Sequence, residues 1–324
     1  MDYKSHFAPY IVGLIEQKRA LGYKYGTEPS ILRRFDAFCF EKYPNESILN
    51  KEIMFDWASK QSQEKPATLQ NRMTPVKELS KYMIRLGLEA FIYPKGMMPR
   101  VQRYVPHIYS DDELKLIFKQ TDQCHFNNQV PYRHLIMPVF FRLLYSCGLR
   151  LSEARLLKFK DVDLDTGVMK IMNAKLDKHR QVPISDELLT RLKTYVESVH
   201  ETPNAEDWFF PGYKGDPMTR GNVEKNLRKF LWQARISHGG RGKGPRVHDF
   251  RHTFAVHCLR KWVIEEKDLR AYLPVLQAYL GHASLSDTAY YLHLTADVFP
   301  NITEKVERLF SDLIPKVGEN HENN

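Results

Sequence analysis

Between residues 158 and 184 the apolar residues change their spacing. Val162 and Leu164, Val168 and Ile171, and Val182 and Ile184 mark short strands separated by turns. On either side, apolar residues recur at helical intervals. The expected fold is therefore mainly α with a small antiparallel β-sheet. The last hairpin carries Lys175 at its tip, within Asn173-Ala174-Lys175-Leu176-Asp177-Lys178. Asp161, Asp163 and Asp165 resemble the start of a calcium loop, but its glycine position holds Thr166 and its twelfth holds Met172. A turn at Asp165-Thr166-Gly167 accounts for them better.

The first 90 residues read as four amphipathic helices. Phe7, Tyr10, Ile11, Leu14 and Ile15 set the inner face of a helix over 4–21, and Gly22 stops it. A second runs over 28–43 with Ile31, Leu32, Phe35, Phe38 and Cys39 inward, and a third over 50–60 with Ile53, Met54 and Trp57. A fourth covers 66–86, where Pro75 should kink or split it. Residues 91–107 place Pro94, Gly96, Pro99 and Pro106 among Lys95, Arg100 and Arg103, which makes a stiff basic linker.

A second domain is expected over 108–316, ahead of a disordered polar tail at 317–324. It opens on a capping box, Ser110 with Glu113, which explains Asp111, Asp112 and Glu113 better than a metal site does. An apolar helix runs from Leu135 to Cys147, Gly148 breaks it, and a new helical run starts at Arg150. Helices return over 186–200 and 219–235, the latter carrying Lys225, Arg228 and Lys229. Residues 238–246 form a flexible basic loop, and a short amphipathic helix covers 301–314.

The formal charge of +9 favours a polyanionic partner without identifying it. No apolar run reaches the length of a membrane span. Cys39, Cys124, Cys147 and Cys258 are scattered, which fits reduced thiols in a cytosol rather than a disulfide framework.

Residues 248–291 gather reactive side chains. His248 and Arg251 stand three apart at the start of a helical run, so their Cβ atoms lie roughly 5–6 Å apart on one face. His282 follows a glycine, and Tyr291 comes nine residues later. One reading is a phosphate held by Arg and His with a tyrosine hydroxyl aimed at phosphorus. The other is a helix with a solvated arginine and capping histidines. His248, His252 and His257 suggest zinc only weakly, because no Glu stands beside the first histidine.

Four segments in order resemble the tyrosine recombinase (phage integrase) family. Gly148-Leu149-Arg150-Leu151-Ser152-Glu153 looks like its G-L-R-x-S-E box. Lys175 with Lys178-His179-Arg180-Gln181-Val182-Pro183-Ile184 is similar to its K-x-x-K-x-R-x-V-P-L hairpin. His248-x-x-Arg251-His252 follows, then Leu280-Gly281-His282 with Thr288 and Tyr291. The motifs span about 107–300; over 1–90 the likeness is one of architecture. Leu176 stands where many members have glycine.

The resemblance implies an N-terminal helical core-binding (SAM-like) domain over 1–90 and an α+β catalytic domain. It implies that Arg150 and Arg251 bind the scissile phosphate, that Lys175, His248 and His282 assist, and that Tyr291 is the nucleophile, with Tyr290 a rival. The expected partner is double-stranded DNA at specific sites. Assembly is expected as a tetramer on two sites through the C-terminal helix, with partner recombinases or accessory proteins, in the cytoplasm with the nucleoid. No cofactor or metal is expected, because guanidinium groups supply the positive charge that divalent ions supply in other phosphoryl-transfer sites. A type IB topoisomerase and a non-catalytic DNA-binding module are the competing readings.

Overall fold

Phe35 and Trp57 meet edge-on with ring centroids 5.2 Å apart in the core of a four-helix unit. The helices are α1 (Ala8–Ala20), α2 (Glu28–Lys42), α3 (Lys51–Ala58) and α4 (Pro66–Arg85). This is a computed structural model that describes residues 3–101, 104–173, 178–240 and 244–298. Ile11, Leu14, Leu32, Phe35, Ile53, Trp57, Met73 and Leu79, the residues that helical spacing turns inward, are buried together. Pro75 does not split α4: the helix runs unbroken through it with the proline ring buried. The ring removes one amide donor, and Thr74 Oγ1 donates to the Gln70 carbonyl next to the gap (2.8 Å). The chain divides at Tyr104/Val105 into two compact units.

The second unit opens with α5 (Asp111–Asp122), whose N-terminus is closed by the capping box: Glu113 N donates to Ser110 Oγ, and Ser110 N to Glu113 Oε2. Then come α6 (Arg133–Ser146) and α7 (Leu151–Arg155), shorter than the run from Arg150 to Leu157 suggests. Strands β1 (Val162–Asp163), β2 (Val168–Asn173) and β3 (Lys178–Pro183) form an antiparallel sheet in the order β1-β2-β3. The turn between β1 and β2 is held by Asp163 Oδ1, which accepts from Asp165 N and Thr166 N. Lys175 and the hairpin tip at 174–177 lie outside the described residues, as do 241–243 of the basic loop and the helix expected over 301–314.

Five helices complete the unit: α8 (Asp186–Val199), α9 (Arg220–Gln233), α10 (Asp249–Ile264), α11 (Leu269–Leu280) and α12 (Leu285–Val298). Phe140, Phe141, Phe209, Phe210, Phe230 and Phe250 fill one core; α10, α11 and α12 enclose another around Val256, Leu259, Leu273, Leu280 and Leu292. α10 belongs to both, so its first turn lies where the two cores meet. Tyr109 fixes it there, stacking on Phe250 (4.9 Å between centroids) and donating its amide to Thr253 Oγ1 (3.0 Å). No described helix is long and apolar enough to cross a membrane, and the four cysteines are free thiols.

Candidate active site

Three arginines converge on the C-terminal end of α11. The last carbonyls of a helix lack intrahelical partners and carry the negative end of its dipole. Here the Tyr279 carbonyl accepts from Arg180 Nε (2.6 Å), that of Leu280 from Arg251 Nη2 (2.6 Å), and that of Gly281 from Arg150 Nη2 (2.9 Å). Arg251 Nη1 also donates to the Gly148 carbonyl beyond the end of α6 (2.8 Å), so one buried guanidinium ties two helix ends together.

Local backbone makes this convergence possible. Gly148 turns the chain with φ of +56°, and a Cβ there would come within 2.5 Å of the Phe254 ring. Only a glycine lets the chain leave α6 so close to α10 and deliver Arg150 to the N-cap of α7. Gly281 closes α11 in the left-handed region with φ of +66°, and a Cβ there would sit 3.0 Å from Arg180 Nη1.

Glu153 holds two of the arginines. Its carboxylate accepts from the Arg150 amide and Nη1 (both 2.8 Å) and from Arg180 Nη1 and Nη2 (3.0 and 2.8 Å). Burial alone would raise its pKa, but the hydrogen bonds and charges of Arg180 and Arg150 outweigh that and hold it at about 2. In the sequence Arg180 is legible only as part of the hairpin pattern; the structure gives it a specific place, bridging Glu153 to α11.

Three imidazoles surround the arginines. His248 occupies the N-cap position of α10 and is exposed, whereas Arg251 in the first turn is buried. Partial burial of the His248 ring lowers its pKa, and the Arg251 and Arg150 charges push the same way. Because solvent reaches this residue, it mutes the burial effect and screens the guanidinium charges alike. His252 packs edge-on against His248 (4.7 Å) and lies tilted against the Tyr291 ring (5.6 Å). Burial first, then the charges around it, depress His252 to about 3; its Nδ1 has no hydrogen-bond partner among the described residues. His282 stacks on Tyr291 with ring centroids 5.9 Å apart at 19°. Burial and then the Arg251 and Arg150 charges depress it to about 4. All three imidazoles are neutral at pH 7.

Tyr291 is buried on α12, within reach of the Arg251 charge. Burial raises its pKa against the lowering pull of Arg251 and Arg150, so the phenol keeps its proton at neutral pH. Arg150, His248, Arg251, His282 and Tyr291 thus share one site, while Lys175 belongs to the undescribed hairpin tip. Tyr290 is half-buried, its ring 6.3 Å from that of Tyr291. Three guanidinium groups against one carboxylate leave the pocket net positive, suited to an anion with several acceptor oxygens. Among the described residues, no three His, Cys, Asp or Glu side chains are grouped to hold a metal ion.

The model of the phage integrase family matches residues 109–297. The y4rB protein of Sinorhizobium fredii is 28% identical over 314 residues, covering 95% of this chain and 99% of that protein. Tyrosine recombinase XerA of Pyrococcus furiosus is 30% identical over 212 residues, 65% of this chain and 64% of that one. Among solved structures, the Tn1549 transposon integrase in complex with a circular intermediate DNA shares the fold, with a TM-score of 0.64 at 17% identity, over 93% of this chain and 99% of that one.

Proposed function

This chain belongs to the phage integrase family, and we propose that it is a site-specific DNA recombinase working through a 3′-phosphotyrosyl intermediate on Tyr291. One observation carries the reading: a protonated phenol rests on a buried guanidinium, with Arg150 and two neutral imidazoles, His248 and His282, in the same pocket.

In this reading the scissile phosphodiester binds between Arg150 and Arg251, whose donors neutralise charge developing on its non-bridging oxygens. His248, neutral and exposed toward solvent, takes the proton of Tyr291. The phenol oxygen attacks phosphorus, the bond from phosphorus to the 5′-oxygen breaks, and Lys175 protonates the leaving oxygen. His282 hydrogen-bonds the phosphate. The phosphotyrosyl ester keeps the diester's energy, so a 5′-hydroxyl from another strand reverses the step without ATP. Glu153 and Arg180 orient the arginines and do not react.

Both units bind the duplex, and four copies assemble on two DNA sites through the segment over 301–314. The element served is one that integrates, excises or transposes. The Tn1549 integrase, whose fold this chain shares, acts for a transposon, which is consistent with the last of these.

The test uses a nicked duplex whose cleaved fragment diffuses away. The full-length protein should form a denaturant-resistant DNA adduct that disappears in Tyr291→Phe. Undiminished adduct in that variant contradicts the proposal. Relaxation of any supercoiled plasmid without site preference would favour a topoisomerase instead.

A further inference from the structure

Thr288 lies one helical turn before Tyr291 on α12, so the two share a face. It is fully buried, and its Oγ1 stands 2.8 Å from Nδ1 of His282. A threonine hydroxyl within a helix commonly gives its proton to the carbonyl four residues back. Thr295, on the same helix, does so: its Oγ1 donates to the Tyr291 carbonyl (2.8 Å). Thr288 makes no such bond among the described residues; its hydroxyl has His282 Nδ1 as partner. The backbone of His282 is meanwhile held from both sides, its amide donating to the Gln277 carbonyl (3.1 Å) and its carbonyl accepting from Gln277 Nε2 (3.4 Å). The imidazole is neutral, so one ring nitrogen carries a proton and the other does not.

We infer that Thr288 is a positioning residue: its hydroxyl donates to Nδ1 of His282, keeps the imidazole proton on Nε2, and so presents His282 to a bound phosphodiester as a hydrogen-bond donor. The opposite tautomer would turn a lone pair toward the non-bridging oxygens and repel them. Because Thr288 and Tyr291 ride on one helix, the donor and the nucleophile are set together. The inference rests on the recombinase reading for its consequence, though not for the tautomer itself.

The experiment combines histidine ¹⁵N spectra of the full-length protein with single-turnover cleavage of the nicked duplex, for the wild type, Thr288→Val and Thr288→Ser. The wild-type His282 spectrum should report a bare Nδ1 and a protonated Nε2. Valine, which keeps the shape and removes the hydroxyl, should mix the tautomers and slow cleavage about tenfold, the worth of one net hydrogen bond. Serine should restore both. In a His282→Ala background, Thr288→Val should cost nothing further. A wild-type proton on Nδ1, an unchanged rate in Thr288→Val, or an equal loss in the His282→Ala background overturns the inference. A wild-type protein that never forms the adduct contradicts the recombinase reading instead, and the spectra still decide the tautomer.

Discussion

The Arg251 guanidinium acts on the Tyr291 phenol, lowering its pKa against the effect of burial, and the two residues have only 1% and 2% of their surfaces exposed. The nucleophile of the proposed reaction therefore covers one of the two guanidinium groups that would hold the phosphate. A DNA strand reaches Arg251 only if α12 shifts. Binding of a cognate duplex should change amide hydrogen exchange across residues 285–298, because that helix must loosen from the arginine and settle again around the phosphate. Exchange across α12 that is indifferent to DNA would contradict a closed resting site.

Arg180 and Glu153 form a pair whose side chains are about nine-tenths buried. Removing one member leaves the other charged and without its main partner. Arg180→Ala should destabilise the second unit by about 3 kcal/mol, as for other broken buried pairs. It should also slow cleavage, since the Glu153 carboxylate that orients Arg150 loses its other anchor. Chemical denaturation checks the first effect and single-turnover cleavage the second; a fully stable variant would show that Glu153 is held by Arg150 alone.

His252 folds with its pKa at about 3, well below the ordinary value of ~6.5. The unfolded chain therefore binds a proton on His252 at a pH where the folded chain does not. Its contribution is whole above pH ~6.5 and is lost as pH falls toward the folded value. Melting curves of the wild type and His252→Phe should separate on acidification, the wild type losing more. Parallel curves between pH 7 and 5 would argue that this imidazole is solvated.

Gly281 needs the left-handed backbone region and stands against Arg180. Gly281→Ala should cost about 1–2 kcal/mol from backbone strain and displace Arg180 and the adjoining His282. The expected result is a larger loss of cleavage than of stability. A variant with full activity would mean that the α11 terminus tolerates rearrangement.

Much of this is legible in the amino-acid sequence. The i, i+3, i+4 spacing finds the four N-terminal helices, and the change of spacing over 158–184 finds the three strands. The site residues Arg150, His248, Arg251, His282 and Tyr291 stand in recognisable order. What the spacing does not reveal is how they meet. Nothing in Tyr279-Leu280-Gly281 signals that each carbonyl will take a different arginine, because the acceptors are backbone atoms common to every residue. α11 and α12 also leave only a faint trace: Pro274 interrupts the first, and aromatic and polar residues blur the second. Pro75 shows the converse: a strong local breaking signal does not end α4 once its flanking turns are packed.

The central claim is that a phosphodiester gripped by two arginines is attacked by one particular phenol. Trapping the adduct on a nicked duplex, digesting both components and sequencing the nucleotide-bearing peptide by mass spectrometry tests it most directly. A nucleotide on Tyr291, linked through its 3′-phosphate and absent from Arg251→Ala, is the predicted result. A nucleotide on Tyr290, or a 5′-linkage, would contradict it.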